Sequence, residues 1–87
     1  MVVISQNADK AIIVENVSGF YTTHTGEKHR IFAEFEEEND WTLGEYTTEN
    51  NANAAFRELL QRITSGKKSY YQLPTDQDAT ELAKLPY

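Results

Sequence analysis

The sequence predicts an α+β fold: a meandering antiparallel sheet of five to six strands, one amphipathic helix packed across one face, and a short C-terminal helical tail. Three observations predict it. Short β-branched and aromatic runs broken by turn residues fill the chain up to Thr47. A single apolar stripe with helical spacing follows, from Ala52 to Ile63. A last aromatic run then precedes Pro74. With 87 residues, 39% of them hydrophobic and none of them cysteine, the chain holds material for one core and no disulfide framework. It reads as a single domain over 1–87, with 1–74 as its core and 75–87 as a C-terminal extension.

The elements can be justified in order. Residues 2–5 (VVIS) and 11–15 (AIIVE) are β-branched runs separated by the turn-like Gln6-Asn7-Ala8-Asp9-Lys10, which makes a hairpin. Val17-Ser18-Gly19 interrupts the pattern and Phe20-Tyr21-Thr22-Thr23 resumes it. The turn at Gly26 leads into a strand over 29–36, and a fifth strand covers 41–47. In the fourth strand Ile31, Ala33 and Phe35 alternate with Phe32, Glu34 and Glu36, so the first set should face the core. A three-residue loop, Glu37-Glu38-Asn39, would pair Phe35 with Trp41 and Ala33 with Leu43. A bulge at Gly44-Glu45 would then bring Tyr46 opposite Ile31.

Thr47-Thr48-Glu49 is a helix start, with a threonine to cap free amides and an acid at the positive end of the dipole. Ala52, Ala55, Phe56, Leu59, Leu60 and Ile63 form the apolar stripe, and Ser65-Gly66 stops the helix ahead of Lys67-Lys68. Residues 69–73 read as one more strand. Residues 76–85 read as a short helix with Ala79, Leu82 and Ala83 inward and Pro86 beyond it.

Fourteen acids against eight bases leave a net charge of −6, which repels phosphate backbones and anionic membranes. Direct nucleic-acid binding and membrane binding are therefore not expected. Between positions 34 and 49 there are seven acids and no base. No apolar run reaches the roughly 18 residues of a membrane span, and the N-terminus lacks a signal pattern, so a soluble, cytoplasmic protein is expected.

Helix packing covers one sheet face, yet the other is less polar than a solvated face should be. If His24 pairs with His29 across the Gly26 turn, Tyr21 lies beside Phe32 on the outer side. Ile13 or Val14 must also point outward, because Ala11-Ile12-Ile13-Val14 is apolar at both parities. Two apolar faces imply a second cover, either the C-terminal residues Tyr70, Tyr71, Leu82, Leu85 and Tyr87 or another protein chain. The candidate protein-contact residues are Tyr21 and Phe32, together with the acidic Glu34, Glu36, Glu38 and Asp40.

Chemistry-bearing clusters are sparse. His24 and His29 with Glu27 between them offer metal-ligand types, but on a short loop and without evident support. Glu34 and Glu36 share one strand face without a concave apolar surround. The oxygen-rich turn from Glu37 to Asp40 lacks the calcium-loop spacing and its glycine. The serines have no nucleophile-elbow context, and no phosphate-cradling glycine pattern occurs. No catalytic residue, cofactor or metal site is expected, and an enzyme is not.

Ile4-Ser5-Gln6, then Glu15-Asn16-Val17, then Leu43-Gly44-Glu45-Tyr46-Thr47-Thr48-Glu49 with Ala52, resembles a group of short uncharacterised proteins of Gram-positive bacteria and their phages. The resemblance covers residues 1–74 and implies a phage-related origin, with no activity or site residue to carry over. The leading expectation is a small non-enzymatic protein-interaction module acting through an apolar sheet face, with a protein partner or itself as a homodimer. One alternative is an acidic nucleic-acid mimic that blocks a basic site through Glu34, Glu36, Glu38, Asp40 and Glu45. The other is a pleckstrin-homology-like binding module, whose strands precede one C-terminal helix.

Overall fold

The computed structural model describes residues 1–66 and 70–85, so expectations placed on Lys67, Lys68, Ser69, Pro86 and Tyr87 lie outside the described residues. The α+β class holds, but the strands form two three-stranded sheets and not one sheet of five or six. β1 (Val2–Ile4) and β2 (Ala11–Ile13) make the first hairpin, with Val3 opposite Ile12. A one-turn 3-10 helix over Val14–Asn16 then carries the chain away, so β2 never meets the next strand. β3 (Gly19–Thr25), β4 (Lys28–Glu34) and β5 (Trp41–Tyr46) form the second, antiparallel sheet. The other side of β1 is taken by β6 (Tyr70–Gln72), which returns after the long helix and pairs in parallel, Val3 opposite Tyr71. Both flanks of β1 are thus occupied, and the two ladders stay separate.

Gln6 joins them at one corner. Its backbone N–H donates to the Leu43 carbonyl at 2.7 Å. Its side-chain amide both donates to the Glu45 carbonyl and accepts from the Glu45 N–H, each at 3.0 Å. A glutamine amide has the donor and acceptor of a peptide group, so here it serves as one residue of a missing strand.

The β3–β4 hairpin has the expected register, with His24 opposite His29 and Tyr21 opposite Phe32. Gly26 opens its two-residue loop at φ +62°, where an L side chain would be strained. The β4–β5 hairpin is set differently from the expectation. Ala33, not Phe35, faces Trp41, and His29, not Ile31, faces Tyr46. The connection, from Phe35 to Asp40, is longer than the expected three residues. Phe35 meets Trp41 edge-to-face at 5.1 Å outside the ladder. The bulge exists, but its extra residue is Leu43, between the Phe32/Thr42 and Ile31/Gly44 pairs. That shift points Leu43 into the core.

α1 (Glu49–Ser65) starts as the sequence indicates: the Thr48 hydroxyl accepts from the Asn51 N–H at 3.1 Å. It ends at Gly66 in the left-handed conformation. Ala52, Ala55 and Leu59 are fully buried, Phe56 and Ile63 pack at the margin, and Leu60 falls outside the stripe, 41% exposed. The face runs across β3, β4 and β5. Buried Tyr46 lies over Gly44 and donates its hydroxyl to the Pro74 carbonyl at 2.8 Å. One core cluster joins Val3 and Ile12 of the first sheet, Ile31, Ala33 and Leu43 of the second, and Leu73 and Ala79.

α2 (Asp76–Ala83) begins at Thr75, whose hydroxyl caps the Asp78 N–H. It does not spread over the Tyr21–Phe32 face, one of the two covers expected there; its main contacts are with α1. Ala79 is buried there, whereas Ala83, expected inward, is exposed. Buried Asn51 makes the clasp, donating to Thr80 Oγ1 at 2.9 Å and to Asp76 Oδ1 at 3.2 Å. Asp76 also accepts from the Thr47 N–H at 3.0 Å and the Thr47 hydroxyl at 2.8 Å. These bonds, the backbone N–H of Thr47 first, hold the Asp76 carboxyl below the usual range.

Candidate functional site

The six contact residues expected from the sequence fall in two places. Tyr21, Phe32 and Glu34 share the face of the second sheet turned away from α1, because they alternate with the inward Ile31 and Ala33. Tyr21 and Phe32 stack at 5.2 Å with an interplanar angle of 13°, so each ring covers much of the other, and both are half-buried. The Tyr21 hydroxyl donates to the Asp40 carboxylate. That bond, with desolvation and nearby carboxylates, pushes the phenol up to about 12. On the same face, Arg30 pairs with Glu45 at 3.4 Å. Two of the residues expected to be free carboxylates therefore already have partners.

Glu36 and Glu38 lie in the β4–β5 connection, and Glu38 leans over a different feature. A depression of about 320 Å³ is lined by Ala11, Ile12, Ile13, Phe35, Glu38 and Trp41. It adjoins the outer edge of β2. The Ser5 N–H donates to the Lys10 carbonyl and the Val14 N–H to the Met1 carbonyl, so Lys10 and Val14 face β1. By the alternation of an antiparallel ladder, Ala11 and Ile13 turn their backbone groups outward.

The same alternation builds an apolar face on the first sheet. Val3, Ile12 and Tyr71 point to the core, so Val2, Ile13 and Tyr70 form a row on the opposite face, with Ile4 and Ala11 in the next row. Ile13 is 52% exposed and Tyr70 63%. The sequence indicates one part of this surface, because Ala11-Ile12-Ile13-Val14 must send an apolar residue outward. Tyr70 and Val2 join it only through the parallel β1–β6 pairing, which no local pattern encodes.

At the hairpin tip, His24 Nδ1 and His29 Nδ1 are 2.8 Å apart. Among the described residues, no cluster of three or more histidine, aspartate or glutamate side chains is placed to hold a metal ion. Asp9, whose carboxyl is held below its usual range first by the Ser5 hydroxyl, closes the β1–β2 turn, with Ser5 Oγ donating to it at 2.7 Å. None of the described helices is long and apolar enough to cross a membrane. Comparison with protein-family models, curated proteins and solved structures gives no match.

Proposed function

We propose that this chain is a small non-enzymatic protein-binding module of the cytoplasm, working through the outer face of the first sheet. The observation that carries the reading is the row Tyr70–Val2–Ile13, continued past the open edge of β2 into the depression walled by Phe35 and Trp41. Exposed apolar side chains on one small sheet, next to an edge that no other described strand pairs, are a feature that water alone does not favour. The acid Glu38 stands at the rim of the depression, so the partner surface is apolar with a basic margin. The site thus moves from the Tyr21–Phe32 pair, whose rings satisfy each other, to the first sheet.

The nucleic-acid mimic has less support, because Asp40 and Glu45 are engaged by Tyr21 and Arg30. A pleckstrin-homology-like layout has less support, since β6 and α2 follow α1. The phage-related origin remains part of the proposal, on the residues that carry the resemblance.

The test compares the wild-type chain with Ile13→Asp and Tyr70→Ser in affinity capture and in sedimentation over a concentration series. Both positions are exposed, so the variants should melt like the parent. A partner, or a second copy, retained by the wild type and lost by both variants is the expected result. A wild-type chain that stays monomeric and captures the same proteins as the variants would refute the reading.

A further inference from the structure

We infer that the tip of the β3–β4 hairpin is a two-imidazole chelate for a tetragonal divalent transition metal such as Cu²⁺, formed by Nδ1 of His24 and Nδ1 of His29. The argument begins with the ladder. Glu45 turns its N–H and C=O away from β4 to the Gln6 amide, so its opposite residue, Arg30, hydrogen-bonds to β3. The next residue, His29, therefore forms a non-hydrogen-bonded pair with His24. In such pairs the Cα atoms lie closest, about 4.5 Å apart, and the side chains rise side by side. The backbone has already placed the two rings, with centroids at 5.0 Å and planes at 48°.

A metal held by both nitrogens at this separation would have a narrow ligand angle. With metal–nitrogen bonds of about 2.05 Å, two nitrogens 2.8 Å apart subtend about 86° at the metal, whereas a tetrahedral ion wants them about 3.3 Å apart. An angle near 90° matches neighbouring positions of a square-planar or tetragonal centre, the preference of Cu²⁺ and Ni²⁺ with nitrogen ligands. Without metal, the short contact is a hydrogen bond in which one Nδ1 carries the proton and the other accepts it. Both rings must present Nδ1 lone pairs to the metal, so the proton moves to Nε2 and each ring swings so that its lone pair points roughly 45° off the present N···N line. His24 is exposed, which makes that adjustment cheap and leaves the remaining coordination positions open to water.

A site of this kind exists only when β3 and β4 are paired next to their turn, so metal binding should also stabilise the folded hairpin. It does not depend on the protein-binding face, which lies on the other sheet.

The test titrates the purified, untagged chain with Cu²⁺ alone, by calorimetry and by electron paramagnetic resonance, beside His24→Gln, His29→Gln and the double variant. The wild type should bind one ion with hyperfine structure from two imidazole nitrogens. Each single variant should show one nitrogen and an affinity lower by about tenfold or more. Melting of the metal-free variants verifies that they fold, and only the wild type should gain melting temperature with Cu²⁺. Equal affinity in the double variant, as from copper held at the terminal amine, overturns the inference. So does a wild-type spectrum without the second nitrogen.

Discussion

Gly44→Ala is the substitution whose sign separates packing from backbone preference. Gly44 sits inside β5 and is not among the positive-φ glycines, so an alanine could adopt its backbone without strain. Judged on chain entropy alone, the change should stabilise the protein by about 0.4–1 kcal/mol. The structure argues the opposite. A Cβ at this position would lie 3.0 Å from Tyr46 Cε2, 3.1 Å from the Tyr46 hydroxyl oxygen and 3.3 Å from Cζ. The ring cannot simply swing away, since Tyr46 is 1% exposed and its hydroxyl is tied to the Pro74 carbonyl at 2.8 Å. Forcing a methyl group into a packed core costs about 1–3 kcal/mol, leaving a net loss of about 1–2 kcal/mol. For a domain of this length that is a fall in melting temperature of about 5–15 °C. Thermal and urea unfolding of the wild type, Gly44→Ala, Tyr46→Phe and the double variant make the measurement. Removing the hydroxyl releases the ring from Pro74, so the alanine should cost less in the Tyr46→Phe background. A stabilised Gly44→Ala, or a penalty that is identical in both backgrounds, would refute the reasoning.

Two further outcomes are expected. Asp76→Ala removes the acceptor that ties Thr47 and Asn51 to α2, and with partial exposure it should cost about 1–2 kcal/mol at neutral pH. Because the folded carboxyl is depressed, that stability is present above the unfolded value of about 3.9 and lost as pH falls through the folded value; urea melts at pH 7 and pH 2.5 should show the gap between wild type and variant closing in acid. Leu59→Ala opens the centre of the α1 interface, where Leu59 is fully buried, and should cost about 2–5 kcal/mol by denaturant unfolding.

What was legible in the sequence was local. The Thr48 cap and the Gly66 stop of α1 each depend on a few neighbouring residues, and both stand where the sequence places them. The β3–β4 register follows from the Gly26 turn and the period of two, so the His24/His29 and Tyr21/Phe32 pairs follow as well. The division into two sheets was not legible. It depends on β6 reaching β1 from the far end of the chain, and on a glutamine side chain closing the gap beside β5. The β4–β5 register was missed because Leu43, an apolar residue that fits either parity, takes the bulge that Gly44 was expected to hold. Asn51 gave no sign of burial, since an asparagine in the first turn of a helix reads as solvated until Asp76 and Thr80 are seen beside it. The candidate binding face was half visible. The apolar doublet Ile12-Ile13 announced an outward side chain, but Tyr70 could be aligned with it only in three dimensions.

The parallel pairing of β1 with β6 has a consequence for how the protein is made. β1 is made before the second sheet and α1, and β6 after them, so one flank of β1 stays vacant while all of those elements are synthesised. The second sheet and α1 can assemble meanwhile from neighbouring segments. The nascent chain therefore carries its greasy β1–β2 hairpin unfinished until β6 follows, and this is the interval in which a chaperone has most to protect.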